Sequence, residues 1–270
     1  MQLKFWGVRG SIPSPGADTA AFGGNTACVE LVAGNHTLII DAGSGIRALG
    51  DKLCTDNSTS IDVFFSHCHF DHIEGLPFFG PLYASGRKLN FWSGHIQRPD
   101  ATRHMIASLI RSPYFPIDPS GFKAAITYLD FQSGDTLHPR EKIVVRTIPL
   151  YHPGGATGFR VAFGCSSVCY ISDVEHRPLL ETSLIEFVSG TDLMIYDAMY
   201  TDEEYPKYVG FGHSTWQEAI KLANAANVGT LVLYHHFPGR VDDDLAKIEA
   251  MAQAKRPHTL MAREGMEFQL

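Results

Sequence analysis

Residues 64–75 read FFSHCHFDHIEG, so three histidines and an aspartate crowd into positions 67–72 directly behind an apolar run. Imidazole nitrogen and carboxylate oxygen bind zinc, manganese or iron, and the paired thiolates of a structural zinc knot are missing. His67 and His69, two positions apart, project to one side while the chain stays extended. Asp71 and His72 follow where it turns into IEGLPFF. Two of these ligands can serve one ion and two a neighbouring ion. A lone histidine is more often an ordinary core or surface residue, the reading for His36, His95, His104, His138 and His258. His176 and His236 read as supports of a site rather than as ligands.

The elements that must carry these groups repeat one pattern. His67 lies behind IDVFF, His152 behind TIPLY, Asp173 behind CYIS, Asp197 behind LMIY and His235 behind LVLY. Short runs rich in Val, Ile, Phe and Tyr, bounded by Gly, Asp, Asn or Pro, read as strands. Further runs of this type are LKFWGV, CVELVA, TLIIDAG, KLNFWS, GFRVAFG and GMEFQL. In α/β sheets the carboxyl ends of strands open on one crevice, and ligands bind there. Helical patterns intervene. STWQEAIKLANAAN carries an apolar stripe and a capping box at Ser214–Gln217 or Thr215–Glu218, and DDDLAKIEAMAQAKR opens on acids and closes on bases. LIEFVS reads as a short helix, and so does the stretch from Arg103 to Ile110. The mixture predicts an α/β fold. Residues 86–131, with the proline-broken SPYFPIDP, read as a lid-like insertion in a single domain spanning 1–270, and Tyr114 and Phe115 are its candidate substrate-stacking residues.

At 270 residues with 44% hydrophobic and 19% charged residues, the chain has the composition of a soluble globular protein. A net charge of −7 argues against an electrostatic grip on long nucleic acid. MQLKFWGVRGSIP has no apolar stretch of signal type and no run reaches bilayer length, so the expected location is the cytoplasm and no membrane partner is expected. Cys28, Cys54, Cys68, Cys165 and Cys169 form no CxxC pair and read as buried free thiols.

HCHFDH resembles the HxHxDH signature of the metallo-β-lactamase fold, a resemblance that extends over nearly the whole chain. The early FWGVRGSIP, FGGNTACVEL and LIIDAGSGIR are similar to its phosphodiesterase branch, which includes tRNase Z and small cyclic-phosphodiester hydrolases. The resemblance implies a four-layer αββα sandwich of two mixed sheets with helices on the outer faces. It implies a first metal held by His67, His69 and His152, a second held by Asp71, His72 and His235, and Asp173 bridging both. LMIYDAMY and GHSTWQEA are similar to the tRNase Z segments that supply an acid, here Asp197, and a catalytic histidine, here His213. The short interval between His152 and Asp173 leaves no room there for the long Gly/Pro-rich arm with which many tRNase Z enzymes hold tRNA.

The expected activity is therefore a dinuclear phosphodiesterase acting on a small phosphodiester such as a cyclic nucleotide. Two divalent ions, zinc ahead of manganese or iron, would lie about 3.5–4 Å apart. Asp71, which also orients the attacking water, His213 and Asp197 are the catalytic candidates, with His213 protonating the leaving alkoxide. Arg9 and Asn25, carried by glycine-rich segments, are candidates for the rim, as are Arg47, Arg177 and Arg240. The alternative is a tRNA 3′-end endonuclease, and the alternative of another class is a non-catalytic nucleotide-binding or scaffold protein. A homodimer is left open.

Overall fold

The computed structural model describes residues 1–56 and 60–270, with residues 178–181 described by backbone alone. Strands β1 (Gln2–Gly7), β2 (Cys28–Ala33), β3 (His36–Ile40), β4 (Ser60–Phe65), β5 (Lys88–Ser93) and β6 (Ala125–Asp130) form the first sheet. Strands β7 (Thr136–Arg140), β8 (Ile143–Leu150), β9 (Ala156–Phe163), β10 (Ser166–Ile171), β11 (Leu193–Asp197), β12 (Thr230–Tyr234) and β13 (Thr259–Met261) form the second. The last strand, β14 (Glu267–Gln269), returns to edge the first sheet beside β1.

Both sheets are mixed in the same way. Pairing is antiparallel from β14 through β3 and parallel from β3 through β6; it is antiparallel from β7 through β10 and parallel from β10 through β13. Parallel neighbours need crossover connections, and helices supply most of them. Helix α1 (Ile46–Thr55) follows β3, the single turn α2 (Phe70–Ile73) follows β4 and α3 (Ala101–Leu109) follows β5; α4 (Pro178–Val188), α5 (Trp216–Ala225) and α6 (Asp242–Lys255) follow β10, β11 and β12.

Side-chain alternation at period two sorts the apolar residues into three cores. Leu38, Ile40 and Phe64 face Val161, Tyr170, Ile195 and Val232 between the sheets. Ile39, Val63, Phe65 and Phe91 point outward to Leu49, Leu53 and Ile106 of α1 and α3. On the opposite outer face Cys169, Met194, Tyr196 and Leu233 meet Ala219, Ala223 and Ile248 of α5 and α6. Each fully buried Leu, Ile or Phe contributes roughly 1.5–3 kcal/mol relative to exposure. Three cores separated by two sheets make the αββα sandwich.

Three strands, helix α1 and the single turn α2 escape the sequence patterns. In β6 every second residue is only half-buried, β7 contains Pro139 on an edge, and β13 is three residues long. Segment 86–131 is thus no insertion, because it supplies β5 and β6 to the first sheet and α3 to the helical layer outside it. Its two connections, residues 94–100 and 110–124, lie outside these elements. Helix α1 starts at Ile46 within GSGIR, a stretch without a helical pattern of its own, and α4 starts at Pro178, before LIEFVS. Of the two capping residues offered for α5, Thr215 is the one that caps, its hydroxyl accepting from Glu218 N–H at 3.2 Å, a cap worth about 1 kcal/mol. All five cysteines are free; Cys54 and Cys165 are exposed rather than buried.

Candidate metal centre and active site

Register brings the strand ends together. Ile40 pairs with Phe64, Ile171 with Tyr196 and Asp197 with Tyr234, so β3, β4, β10, β11 and β12 end at one edge of the sandwich. Thr157 N–H donates to the Ser66 carbonyl at 2.9 Å and stitches the two sheets there. Asp41, Asp173 and His235, each just past a strand, take left-handed backbone with φ of 62, 60 and 61°. Non-glycine residues adopt this conformation rarely and at some cost, and such strain concentrates at functional sites.

All seven candidate ligands converge. His67, His69 and His152 form one group and Asp71, His72, Asp173 and His235 another, the donor atoms within each lying no more than 4.8 Å apart. In the first group His152 Nε2 is 3.0 Å from His69 Nδ1, and Asp173 Oδ1 is 3.8 Å from both His67 Nε2 and His152 Nε2. In the second, His72 Nε2 lies 3.2 Å from His235 Nε2, 3.3 Å from Asp71 Oδ2 and 3.1 Å from Asp173 Oδ2. The two oxygens of Asp173 thus face opposite groups.

The surrounding bonds fix which nitrogen points inward, as in metal sites generally. His152 Nδ1 donates to the Gly212 carbonyl at 2.8 Å, which leaves Nε2 as a lone-pair donor. His72 Nδ1 donates to Asp41 Oδ2 at 2.8 Å with the same consequence. His67 Nδ1 lies 3.0 Å from Ser66 Oγ, while its Nε2 is buried and has no hydrogen-bond partner. A buried nitrogen without a partner among converging imidazoles and carboxylates is the arrangement that a divalent cation satisfies. Burial holds the pKa of His67, His69 and His152 below the usual imidazole range, so all three stand neutral. For His72 burial acts the same way, but Asp173, Asp71 and Asp41 override it and hold the pKa well above that range.

His213 and Asp197 join this cluster. His213 Nδ1 donates to Asp197 Oδ2 at 2.8 Å, and its ring stacks on His235 with centroids 5.0 Å apart. Burial opposes its charge, yet attraction to Asp197 and their hydrogen bond push the pKa to about 9. An open depression of about 360 Å³ over the cluster is lined by Ser11, Cys68, His69, Phe70, Asp71, Asp173 and His213.

The rim candidates land elsewhere. Arg9 is fully buried, its Nε donating to the Gly23 carbonyl and Nη1 to the Arg240 carbonyl, so it clamps loops instead of reaching the rim. Asn25 is occupied by Glu264 and Ser44 in a separate groove. Tyr114 is exposed and Phe115 packs edge-on against Phe78; neither lines the depression. Arg47 pairs with Asp51 on the surface of α1, Arg240 with Glu204, and Arg177 lies over the Tyr151 ring at 3.5 Å. His236 Nε2 donates to the Ala262 carbonyl, and His176 bonds Ser214.

What the sequence patterns passed over is the support beneath the ligands. Asp41 accepts from Ser66 N–H and Oγ, Tyr170 O–H and His72. It follows TLII as the other site residues follow their runs, so the same strand-end rule would have found it. GVRGS acts through backbone. Ser11 N–H donates to Asp71 Oδ2 at 2.7 Å, and a Cβ on Gly10 would stand 2.5 Å from the His235 ring.

Residues 36–236 match the family model of the β-lactamase superfamily domain. A protein named ribonuclease Z from Gemmatimonas aurantiaca is 39% identical over 322 aligned positions, covering 99% of this chain and 95% of its own. That alignment is longer than the 270-residue chain, so this relative carries insertions that the chain lacks. Among solved structures, a diphosphatase of the PhnP family superposes with a TM-score of 0.73 at 15% identity, covering 100% of this chain and 97% of its own. Human tRNase Z, short form, superposes with a TM-score of 0.68 at 20% identity, covering 100% and 99%. No helix among the described residues is long and apolar enough to cross a membrane. With the domain match spanning most of the chain and a close relative along its whole length, the chain belongs to the β-lactamase superfamily, as a metal-dependent hydrolase of its phosphodiesterase branch.

Proposed function

We propose that each group of ligands holds one divalent cation, zinc ahead of manganese or iron, and that the chain cleaves RNA phosphodiesters as a tRNA 3′-end endonuclease. The observation that carries the dinuclear reading is Asp173, whose Oδ1 faces His67 and His152 while Oδ2 faces His72 and His235. The RNA substrate is supported by the relative at 39% identity that bears the ribonuclease Z name, against the expectation of a small substrate alone. Divalent cations held there supply Lewis acidity toward phosphoryl oxygen and depress the pKa of the attacking water.

The chain's own residues do the rest. Asp71, fixed by Ser11 N–H, accepts a hydrogen bond from the water and aims it in line with the leaving oxygen. His213 carries its Nδ1 proton into Asp197, so Nε2–H is the acid for the departing alkoxide. A carboxylate behind an imidazole fixes the tautomer and favours the imidazolium.

A second reading, a small diester such as a cyclic nucleotide, is favoured by one feature. β9 and β10 are joined by a tight turn at Gly164–Cys165, so no arm leaves the sandwich between His152 and Asp173. A non-catalytic scaffold has no need of an Asp197–His213 pair beside the ligands.

The test is to purify the protein, quantify its metals and assay precursor tRNA, cyclic nucleotides and linear dinucleotides side by side. Precursor cleavage is the expected result. Turnover of cyclic nucleotides alone would transfer the assignment to the second reading, and inertness of the metal-loaded protein toward all three would sink both.

A further inference from the structure

Glu175 is 2% exposed and lies two residues past Asp173, outside both groups of ligands. Its carboxylate takes its hydrogen bonds from one loop: Oε1 accepts from Tyr205 O–H at 3.1 Å, and Oε2 accepts from Gly210 N–H at 2.9 Å and Gly212 N–H at 3.1 Å, while Arg177 Nη2 lies 3.9 Å from Oε1. Its own N–H donates to the Tyr151 carbonyl at 2.9 Å, next to His152. A carboxylate out of water is costly unless donors such as these compensate it, so it persists only where the loop closes on it.

That loop ends at the centre. Gly212 has φ of +86°, and a Cβ there would stand 2.3 Å from His152 Nδ1, so only glycine lets the backbone come this close. Its carbonyl takes the Nδ1 proton of His152, and the next residue is His213, bonded to Asp197. One carboxylate therefore ties down both the acceptor that orients His152 and the approach of His213.

We propose that Glu175 is a positioning residue that sets the tilt of the His152 and His213 imidazoles together. It thereby couples cation retention in the first group to proton donation from the loop. The inference rests on the reading of His152 as a ligand and His213 as the acid, and it adds a residue that neither the strand-end pattern nor the family resemblance supplied.

The full chain carrying Glu175→Ala, Glu175→Gln or Glu175→Asp would be titrated with Co²⁺ against a chelator, with visible spectra recorded. kcat and KM would be measured on diesters with poor and good leaving groups. Glu175→Ala should weaken first-group affinity by about 10–100-fold while the second group keeps its ion, and should lower kcat more than KM, most for poor leaving groups. Glu175→Gln should restore most of both losses, since its carbonyl can take the two glycine N–H groups while its amide donates to the Tyr205 oxygen. If Glu175→Ala does not fold, Glu175→Asp keeps the charge but loses the reach, and should weaken the first group alone. Unchanged Co²⁺ affinity in Glu175→Ala or Glu175→Asp, or equal loss from both groups, would overturn the proposal. His152→Ala separates the two levels: an unaltered Co²⁺ spectrum there would remove the ligand reading itself, and this inference with it.

Discussion

The two groups of candidate ligands meet at Asp173 and differ in almost everything else. The first is three imidazoles, and burial keeps all three neutral and ready to donate lone pairs. The second is two imidazoles and two carboxylates, buried throughout, and its carboxylates together with Asp41 hold His72 well above the usual imidazole pKa. The first group offers neutral lone pairs, whereas the carboxylates of the second favour positive charge on His72. Two pockets a few ångströms apart can thus reach similar ligand counts by opposite electrostatic routes.

The sharpest way to break this comparison is Asp71→Ala. It removes a carboxylate from the second group only, so that group should lose its cation and turnover should fall by at least 10²–10³-fold, with the fold retained by circular dichroism and one ion remaining by elemental analysis. Full activity would refute the division into two pockets. His213→Ala tests a residue that touches both groups but is proposed to ligate neither. Both ions should remain, and kcat on substrates with poor leaving groups should drop by about 10²–10⁴-fold, with a much smaller loss on an activated nitrophenyl ester. Equal loss on both substrates would exclude proton donation.

Smaller effects sharpen the contrast. Asp41→Asn should weaken cation affinity of the second group by about 10–100-fold through the loss of His72 orientation and weaken the first group less, through Ser66 and His67, read by Co²⁺ titration. The smallest effect is a proton count. The raised pKa of His72 means that the metal-free second pocket is protonated at neutral pH and must release that proton when a cation enters. Its affinity should therefore rise about tenfold per pH unit below the folded-state pKa of His72 and level off above it, whereas the first pocket, with its lowered pKa values, should be flat through neutrality. Calorimetry in buffers of different ionisation enthalpy measures the released proton directly, and zero release at the second pocket would remove the electrostatic distinction.

How much of this was legible in the sequence depended on range. His67, His69, Asp71 and His72 announce themselves because one short loop holds them, and β4 ahead of them has the apolar run of a buried strand. His152, Asp173, Asp197 and His235 are each visible as a polar residue ending such a run. Asp41 fits the same rule and was still passed over, because an acid before AGSG reads equally well as a turn. Glu175 has no local signature at all, since its three donors come from 30 to 37 positions later. The rim candidates failed for a complementary reason. Arg9 sits among turn-forming glycines, yet its guanidinium meets carbonyls at Gly23, Phe237 and Arg240, contacts that no spacing rule encodes.

Local pattern alone determined the α/β class, most of the strands and the chemical identity of the donors, because period-two burial and residue type are properties of neighbours in the chain. Tertiary structure decided which donors share a pocket, which nitrogen of each histidine faces inward, and which polar groups are supports. The physical reason is that tautomer, pKa and pocket membership are set by groups brought within about 3–4 Å by sheet register and loop closure. Such contacts join residues tens to hundreds of positions apart, a distance over which periodicity carries no information.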